Sequence, residues 1–161
     1  MKTETFEGQI ELDKSNAKLT RLQIVRVGSL RCAFPAAEVS AIVAWQEPAP
    51  LPNAPQSVLG VVSVHGSMFT VLDLAELTSE NSAVEETARL IIALRGDEQL
   101  AIAVDELGGE IELVREEVTG ERKEGLIAGT LNRNNEEVSI LNLKELFSTA
   151  IQGRERRRRR F

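Results

Sequence analysis

The sequence predicts a mainly β domain built from two similar β subdomains that share one core. Three observations predict this class: many short apolar segments separated by turn residues, only brief stretches with helical spacing, and two halves that resemble each other. The length of 161 residues suits one ordinary domain with a sizeable core. We divide the chain into a flexible arm (1–20), a folded domain (21–150) and a basic tail (151–161).

The first subdomain, about residues 21–77, begins with two predicted hairpins. Leu22–Val27 alternates polar and apolar residues of β-favouring types, and Gly28-Ser29 turns the chain into Leu30–Phe34. The apolar segment Val39–Trp45 follows. A loop with four prolines, Glu47–Pro55, can continue neither a helix nor a central strand. After it, Leu59–Val64 and Met68–Leu72 are predicted strands around the turn His65-Gly66-Ser67, and Asp73–Leu77 is a predicted short helix.

The second subdomain, about residues 88–146, follows a polar spacer. Its predicted strands are Arg89–Leu94, Leu100–Val104, Glu110–Val114, Leu126–Leu131 and Val138–Leu143. Thr119–Gly125 is a charged loop. Apolar residues at helical spacing predict a short C-terminal helix over Lys144–Ile151.

Two pairs of segments support an internal duplication. Val71-Leu72-Asp73-Leu74-Ala75-Glu76-Leu77 matches Ile140-Leu141-Asn142-Leu143-Lys144-Glu145-Leu146 at an offset of 69 residues, from 71 to 140. Ala33-Phe34-Pro35-Ala36-Ala37-Glu38-Val39 matches Ala101-Ile102-Ala103-Val104-Asp105-Glu106-Leu107 at an offset of 68, from 33 to 101. Nearly equal offsets predict that the two halves have the same fold.

The charge is distributed unevenly along the chain. The net charge is −6, but Arg154–Phe161 holds six Arg and one Glu, so residues 1–153 carry 13 basic and 24 acidic groups, or −11 (13 − 24). An acidic body argues against a nucleic-acid partner, whereas the tail keeps a small β-barrel nucleic-acid binder as the alternative function. The tail could equally be solvated, or could contact an anionic membrane or an acidic protein surface.

The composition offers few groups for catalysis or metal binding. The chain has one His, one Cys and no Tyr, so an enzyme would depend on Asp, Glu, Lys and Ser. No second His or Cys is available to complete a soft metal site with His65. We therefore predict no enzymatic activity, no metal and no cofactor. The single Cys32 is predicted to pack in the core, and the lack of a signal sequence or a long apolar run predicts a cytoplasmic protein.

The order of these segments resembles the CheW-like family of bacterial chemotaxis adaptors. The most specific part is Leu59-Gly60-Val61-Val62-Ser63-Val64-His65-Gly66-Ser67-Met68-Phe69-Thr70-Val71-Leu72-Asp73-Leu74, which is similar to the family signature of a Gly-Val pair, a Gly-containing hairpin tip and a strand ending in Asp-Leu. Val104-Asp105-Glu106-Leu107 resembles the family's Val-Asp-Glu-Val step, and Gly129 lies near the start of the last hairpin. The resemblance covers about residues 20–150.

The resemblance implies two five-stranded β-barrels around a common hydrophobic centre, with strand exchange between them. It also implies a non-catalytic signal-transduction adaptor. The partners would be the regulatory domain of a CheA-type histidine kinase and the cytoplasmic tip of a methyl-accepting chemoreceptor, so the protein would associate with receptor arrays at the inner membrane. Positions matching family binding positions are Val39, Gly60, Val64 and His65.

One departure from the family lies at the hairpin tip. Many members have Asn-Leu-Arg-Gly there, with the Arg implicated in partner contacts, where this chain has Ser63-Val64-His65-Gly66. A guanidinium presents a fixed fork of donors, whereas a neutral imidazole presents one donor and one acceptor. His65 is therefore predicted as either an exposed turn residue or a partner contact, and Trp45 as either a binding anchor or a cover for the core edge.

Overall fold

A computed structural model describes residues 20–78, 87–122 and 125–150, and these residues form a mainly β structure. The predicted arm and basic tail lie outside the described residues. The elements, in chain order, are β1 (Arg21–Val27), β2 (Leu30–Pro35), the 3-10 helix η1 (Ala36–Glu38), β3 (Val39–Ala44), β4 (Val58–Val64), β5 (Ser67–Leu72), α1 (Leu74–Leu77), β6 (Leu90–Leu94), β7 (Leu100–Val104), β8 (Glu106–Glu112), the 3-10 helix η2 (Arg115–Glu117), β9 (Val118–Thr119), β10 (Ile127–Arg133) and β11 (Glu136–Leu141). Residues 145–150 are helical, which confirms the predicted C-terminal helix.

The strands form two sheets rather than two closed barrels of five strands. One sheet has the order β8-β1-β2-β11-β10-β9, and the other has the order β3-β6-β7-β5-β4. Among the described residues no strand pairing joins β8 to β9 or β3 to β4, so neither sheet closes through its edges. The sixth strand of the first sheet is β9, a two-residue strand that pairs with Thr130 and Leu131 of β10 in a region predicted to be mostly loop.

Each sheet takes strands from both halves of the chain. The first sheet joins β1 and β2 of the first half to β8–β11 of the second, through a parallel pairing of β2 with β11. The second sheet joins β3–β5 to β6 and β7, through a parallel pairing of β5 with β7. This is the strand exchange that the resemblance implied. The limits of the two subdomains as separate units, 21–77 and 88–146, stay a prediction.

The registers of the two parallel pairings are equivalent. Cys32 pairs with Ser139 in the first sheet, and Thr70 pairs with Leu100 in the second. An offset of 68 converts Cys32 to Leu100, and an offset of 69 converts Thr70 to Ser139, so one pair maps onto the other. The two halves therefore have the same strand pairing, in agreement with the duplication read from the sequence.

Two buried clusters hold the sheets together. The larger cluster joins Val25, Cys32 and Phe34 of β1 and β2 to Ile92 and Ile102 of β6 and β7. A smaller cluster lies within the six-stranded sheet and includes Leu22, Leu131 and Ile140, each fully buried. Cys32 is completely buried, as predicted, and Trp45 is half-buried against the larger cluster. Removing this apolar surface from water is the main stabilising term of the fold.

One strand begins earlier than the sequence pattern predicts. The alternation of Glu and apolar residues predicts a strand over Glu110–Val114, but β8 spans Glu106–Glu112. Its pairing with β1 starts where Arg26 faces Glu106, and the two side chains form an ion pair of 3.0 Å. Gly108 permits the early start, because a Cβ there would lie only 3.1 Å from Ile24 Cγ2. The prediction missed this because two consecutive glycines are unfavourable in a strand interior.

Candidate docking surface

The β4–β5 hairpin turns through His65 and Gly66. Both residues have left-handed backbone conformations, with φ of 50° and 86°, and Val64 pairs with Ser67 across the turn. Positive φ at both central positions is the requirement of a type I′ turn, whose twist matches that of antiparallel strands. The His65 side chain is exposed at this tip. The turn therefore presents the imidazole at the end of the hairpin.

Gly60 lies in a close backbone contact beneath the proline-rich loop. Ala49 and Val61 exchange two hydrogen bonds, Ala49 N to Val61 O of 2.9 Å and Val61 N to Ala49 O of 2.8 Å. A Cβ on Gly60 would lie 2.3 Å from Ala49 O, and the φ of Gly60 is +145°. The register of β4 with β5 also shifts between Val58 and Gly60. Only glycine fits at this position without moving the loop.

The structure distributes the four predicted binding positions between surface and interior. His65 is exposed, and Val39 is half-buried at the start of β3, packed against the larger core cluster. Gly60 and Val64 are buried, Val64 with 3% of its surface exposed. Val64 and His65 adjoin at the hairpin tip, whereas Val39 lies on the opposite edge strand of the same sheet. Partner contact at the four positions stays a prediction.

The outer side of the five-stranded sheet carries a surface without charge. Ile42 pairs with Ile92, which pairs with Ile102, which pairs with Leu72, and this register places Ile42 on the same side as Leu72 and Met68. The exposed or half-buried side chains of this side at the two edges of the sheet define the uncharged face. They are Ile42, Ala44, Gln46, Val61, Ser63, His65, Met68 and Thr70.

The two edges of the uncharged face approach each other. Gln46, just after β3, donates from Nε2 to Ser63 O of β4 at 3.4 Å, and Ser63 pairs with Met68. Met68 has 57% of its surface exposed and Ile42 has 40%. A flexible Met and an exposed Ile beside uncharged polar groups are typical of a protein docking surface.

The equivalent surface of the other half is acidic. Offsets of 68 and 69 convert Ile42 to Glu110 and Met68 to Glu137, and Arg21 lies between Glu110 and Glu112 at 3.8 and 3.7 Å. Charged side chains on edge strands protect a sheet against unwanted association. Because the same fold position tolerates glutamates in one half, the absence of charge in the other is not required for folding.

The family comparison covers almost all of the residues described above. The model of the CheW-like domain matches residues 21–150. The chain belongs to the CheW-like domain family. A solved structure with the same fold is the scaffolding protein TtCheW from Thermoanaerobacter tengcongensis, with a TM-score of 0.70 and 14% sequence identity over 81% of this chain and 93% of that one. No curated protein matches the chain significantly.

Two features of other functional classes are absent from the described part of this CheW-like chain. No helix there has the length and apolar character needed to cross a membrane. No group of three or more His, Cys, Asp or Glu side chains lies close enough together there to hold a metal ion. Neither absence assigns a function, so the uncharged face is the strongest candidate site in the described residues.

The sequence contains a signal for the uncharged face, although His65 alone among the predicted binding positions belongs to it. Ser40, Ile42 and Ala44 alternate with half-buried residues along β3 and include no charge. Met68 likewise alternates with buried Phe69 in β5. An exposed side of a strand normally contains charged or strongly polar residues, so the lack of charge in both strands of this CheW-like domain could have indicated the surface.

Proposed function

We propose that this CheW-like protein is a non-catalytic adaptor that couples a chemoreceptor to a CheA-type histidine kinase. The partners would be the regulatory domain of the kinase and the cytoplasmic tip of the receptor, which would bring the protein to receptor arrays at the inner membrane. Family membership over residues 21–150 supports this proposal. The uncharged face is the observation that identifies where a partner would dock.

An adaptor of this kind acts through two binding surfaces on one rigid body. A change in the receptor can alter the kinase only if each partner's binding changes the free energy of the other, typically by about 1–3 kcal/mol. The shared core of the two sheets supplies the rigid connection. Repeated weak contacts in an array gain strength from the high effective concentration of neighbouring modules.

The uncharged face would supply the desolvated centre of one interface. Met68 and Ile42 offer apolar contact, whereas Ser63, Gln46 and His65 offer hydrogen bonds at the rim. Interfaces of this composition depend on a few residues, each of which contributes about 2 kcal/mol or more. A glutamate at Met68 would place an unpaired charge in the contact.

The test measures binding of the full chain to the regulatory domain of a histidine kinase encoded in the same genome, by titration calorimetry. We expect Met68→Glu and His65→Glu to weaken binding by at least about 30-fold, which corresponds to about 2 kcal/mol. Phe147→Glu is the matched control, because Phe147 is an exposed apolar residue of the 145–150 helix, with 46% of its surface exposed. Its affinity should equal that of the unmodified chain.

Two results would count against the proposal. The first is no binding at tens of micromolar to any kinase regulatory domain of that genome. The second is equal weakening by Met68→Glu and Phe147→Glu, which would mean that the uncharged face has no special role. Far-UV circular dichroism of each variant separates loss of binding from loss of fold.

A further inference from the structure

A buried carboxylate lies next to an arginine in the six-stranded sheet. Asp105 has 5% of its surface exposed and accepts hydrogen bonds from Gly28 N at 2.7 Å and from Thr87 Oγ1 at 2.8 Å. Arg26 Nη1 lies 3.4 Å from Asp105 Oδ2, and Arg26 Nε donates to Glu106 at 3.0 Å. A buried carboxylate requires such partners to be stable.

The duplication assigns a counterpart to each member of this group. Leu94 pairs with Val39, as Val25 pairs with Leu107. An offset of 69 therefore converts Arg26 to Arg95, and an offset of 68 converts Ala37 to Asp105. The five-stranded sheet thus keeps the arginine of the group, but the residue at the position of the buried carboxylate is an alanine.

Arg95 is held in place without a carboxylate partner. Its Nε donates to Ala37 O at 2.8 Å, and its backbone N donates to Glu38 O at 2.8 Å. Within residues 20–78, 87–122 and 125–150, Arg95 forms no ion pair with any acidic side chain, whereas Arg21, Arg26, Arg31, Arg115 and Arg133 each form at least one. The two Nη groups of Arg95 therefore have no acidic partner in that part of the chain.

An open cavity adjoins Arg95. Its volume is about 420 Å³, and it is lined by Ser40, Phe69, Leu94, Arg95, Gly96, Asp97 and Gln99. Ser40 and Gln99 can donate hydrogen bonds, Phe69 and Leu94 supply an apolar wall, and Asp97 disfavours a second negative charge. The position of Gln99 is unusual, because its φ is +50° and its carbonyl accepts from Thr70 N at 2.9 Å.

We propose that this cavity binds one side-chain carboxylate, Asp or Glu, of a partner protein. The carboxylate would meet the Nη groups of Arg95, as Asp105 meets Arg26 within the chain. The Ser40 hydroxyl or the Gln99 amide would donate to its second oxygen. The cavity is larger than a single carboxylate, so it has room for the side chain and the adjoining backbone of an extended segment. This inference goes beyond the adaptor proposal, because it names the chemistry of a separate site and does not depend on a kinase or a receptor.

The probe is the blocked peptide acetyl-Ala-Asp-Ala-amide, whose only carboxylate is the Asp side chain, added to the ¹⁵N-labelled full chain. We expect saturable NMR shifts at the amides of Ser40, Gly96 and Gln99, with a dissociation constant in the millimolar range because one exposed ion pair contributes little. The same peptide with Asn in place of Asp should give no saturable shift. Sodium acetate should bind at least several-fold more weakly than the Asp peptide.

Four variants make the experiment specific. Arg95→Gln should abolish the shifts, whereas Arg89→Gln should keep them, because Arg89 is an exposed arginine that does not line the cavity. Ala37→Asp places a carboxylate at the counterpart of Asp105, so it should weaken peptide binding at least tenfold. Ala37→Asn is its uncharged control and should bind the peptide as the unmodified chain does.

Three outcomes would overturn the proposal. One is equal binding of the Asp and Asn peptides, and another is equal loss of binding in the Arg95 and Arg89 variants. The third is acetate that binds as tightly as the peptide, which would indicate a site for free small anions rather than for a protein side chain. A folded ¹H-¹⁵N spectrum is required of each variant, and Arg95→Lys, which keeps the charge, serves if Arg95→Gln does not fold.

Discussion

The substitution Gly60→Ala tests whether this residue acts through folding rather than through direct partner contact. An added Cβ would lie 2.3 Å from Ala49 O, 2.8 Å from Ala49 C and 2.8 Å from Pro48 Cβ. Two of these atoms belong to the backbone and the third to a rigid ring, so none can move as the end of a flexible side chain would. The proline-rich loop or strand β4 must therefore shift.

The expected cost has two parts. A residue with a side chain at the φ of +145° observed for Gly60 costs about 1–3 kcal/mol. Displacing Ala49 also weakens its two hydrogen bonds with Val61, each with a net value of about 0.5–1.5 kcal/mol. The sum ranges from about 2 to about 6 kcal/mol, and we expect about 3 kcal/mol. In a chain of this size that loss lowers the Tm by about 6–12 °C.

Urea unfolding followed by circular dichroism measures the change, and two other glycines provide a graded control. A Cβ on Gly109 meets nothing within 4 Å, so Gly109→Ala should change stability by less than about 1 kcal/mol. A Cβ on Gly129, the counterpart of Gly60, would lie 2.9 Å from Val118 Cγ1, a side-chain atom that can yield, so Gly129→Ala should give an intermediate loss. A Gly60→Ala protein as stable as the Gly109→Ala protein would refute the reasoning.

Three further predictions concern other parts of the chain. Asp105→Ala removes the acceptor of two short hydrogen bonds in a buried site, so urea unfolding should show a loss of about 2–4 kcal/mol, against less than about 0.5 kcal/mol for exposed Asp97→Ala. Leu131→Ala creates a cavity at a fully buried position and should cost about 2–5 kcal/mol, whereas Leu51→Ala, at a residue with 43% of its surface exposed, should cost less than about 1 kcal/mol in the same assay. The full chain should show no saturable fluorescence anisotropy change with a labelled single-stranded oligonucleotide at physiological salt; a change that disappears when Arg154–Phe161 is removed would instead favour the nucleic-acid alternative.

The local elements were predictable because their signals are local. His65-Gly66 between two apolar runs indicates a tight hairpin, and the structure has that hairpin. Asp73 before an apolar helical segment indicates an N-cap, and its side chain accepts from Glu76 N at 3.2 Å. The duplication was also visible, because side chains that pack at equivalent positions keep similar sizes in both halves.

The features that escaped prediction depend on residues far apart in the chain. Gly60 is constrained by Ala49 across the sheet edge, and no pattern within β4 reveals that contact. The alternation of β4 does place Val64 on the buried side, but the family resemblance directed attention to its possible role in binding instead. The relation between Arg95 and Asp105 becomes visible only when strand pairing aligns the two halves residue by residue.

The parallel pairings of β2 with β11 and of β5 with β7 set the order in which the chain can fold. Neither sheet can be completed by residues 21–77 alone, so a ribosome that has released only this half exposes β2 and β5 without their partners. Contacts between residues so distant in sequence also slow folding, because a long loop must close before they form. We expect the two halves, expressed separately, to be insoluble and to form the native structure when they are refolded together.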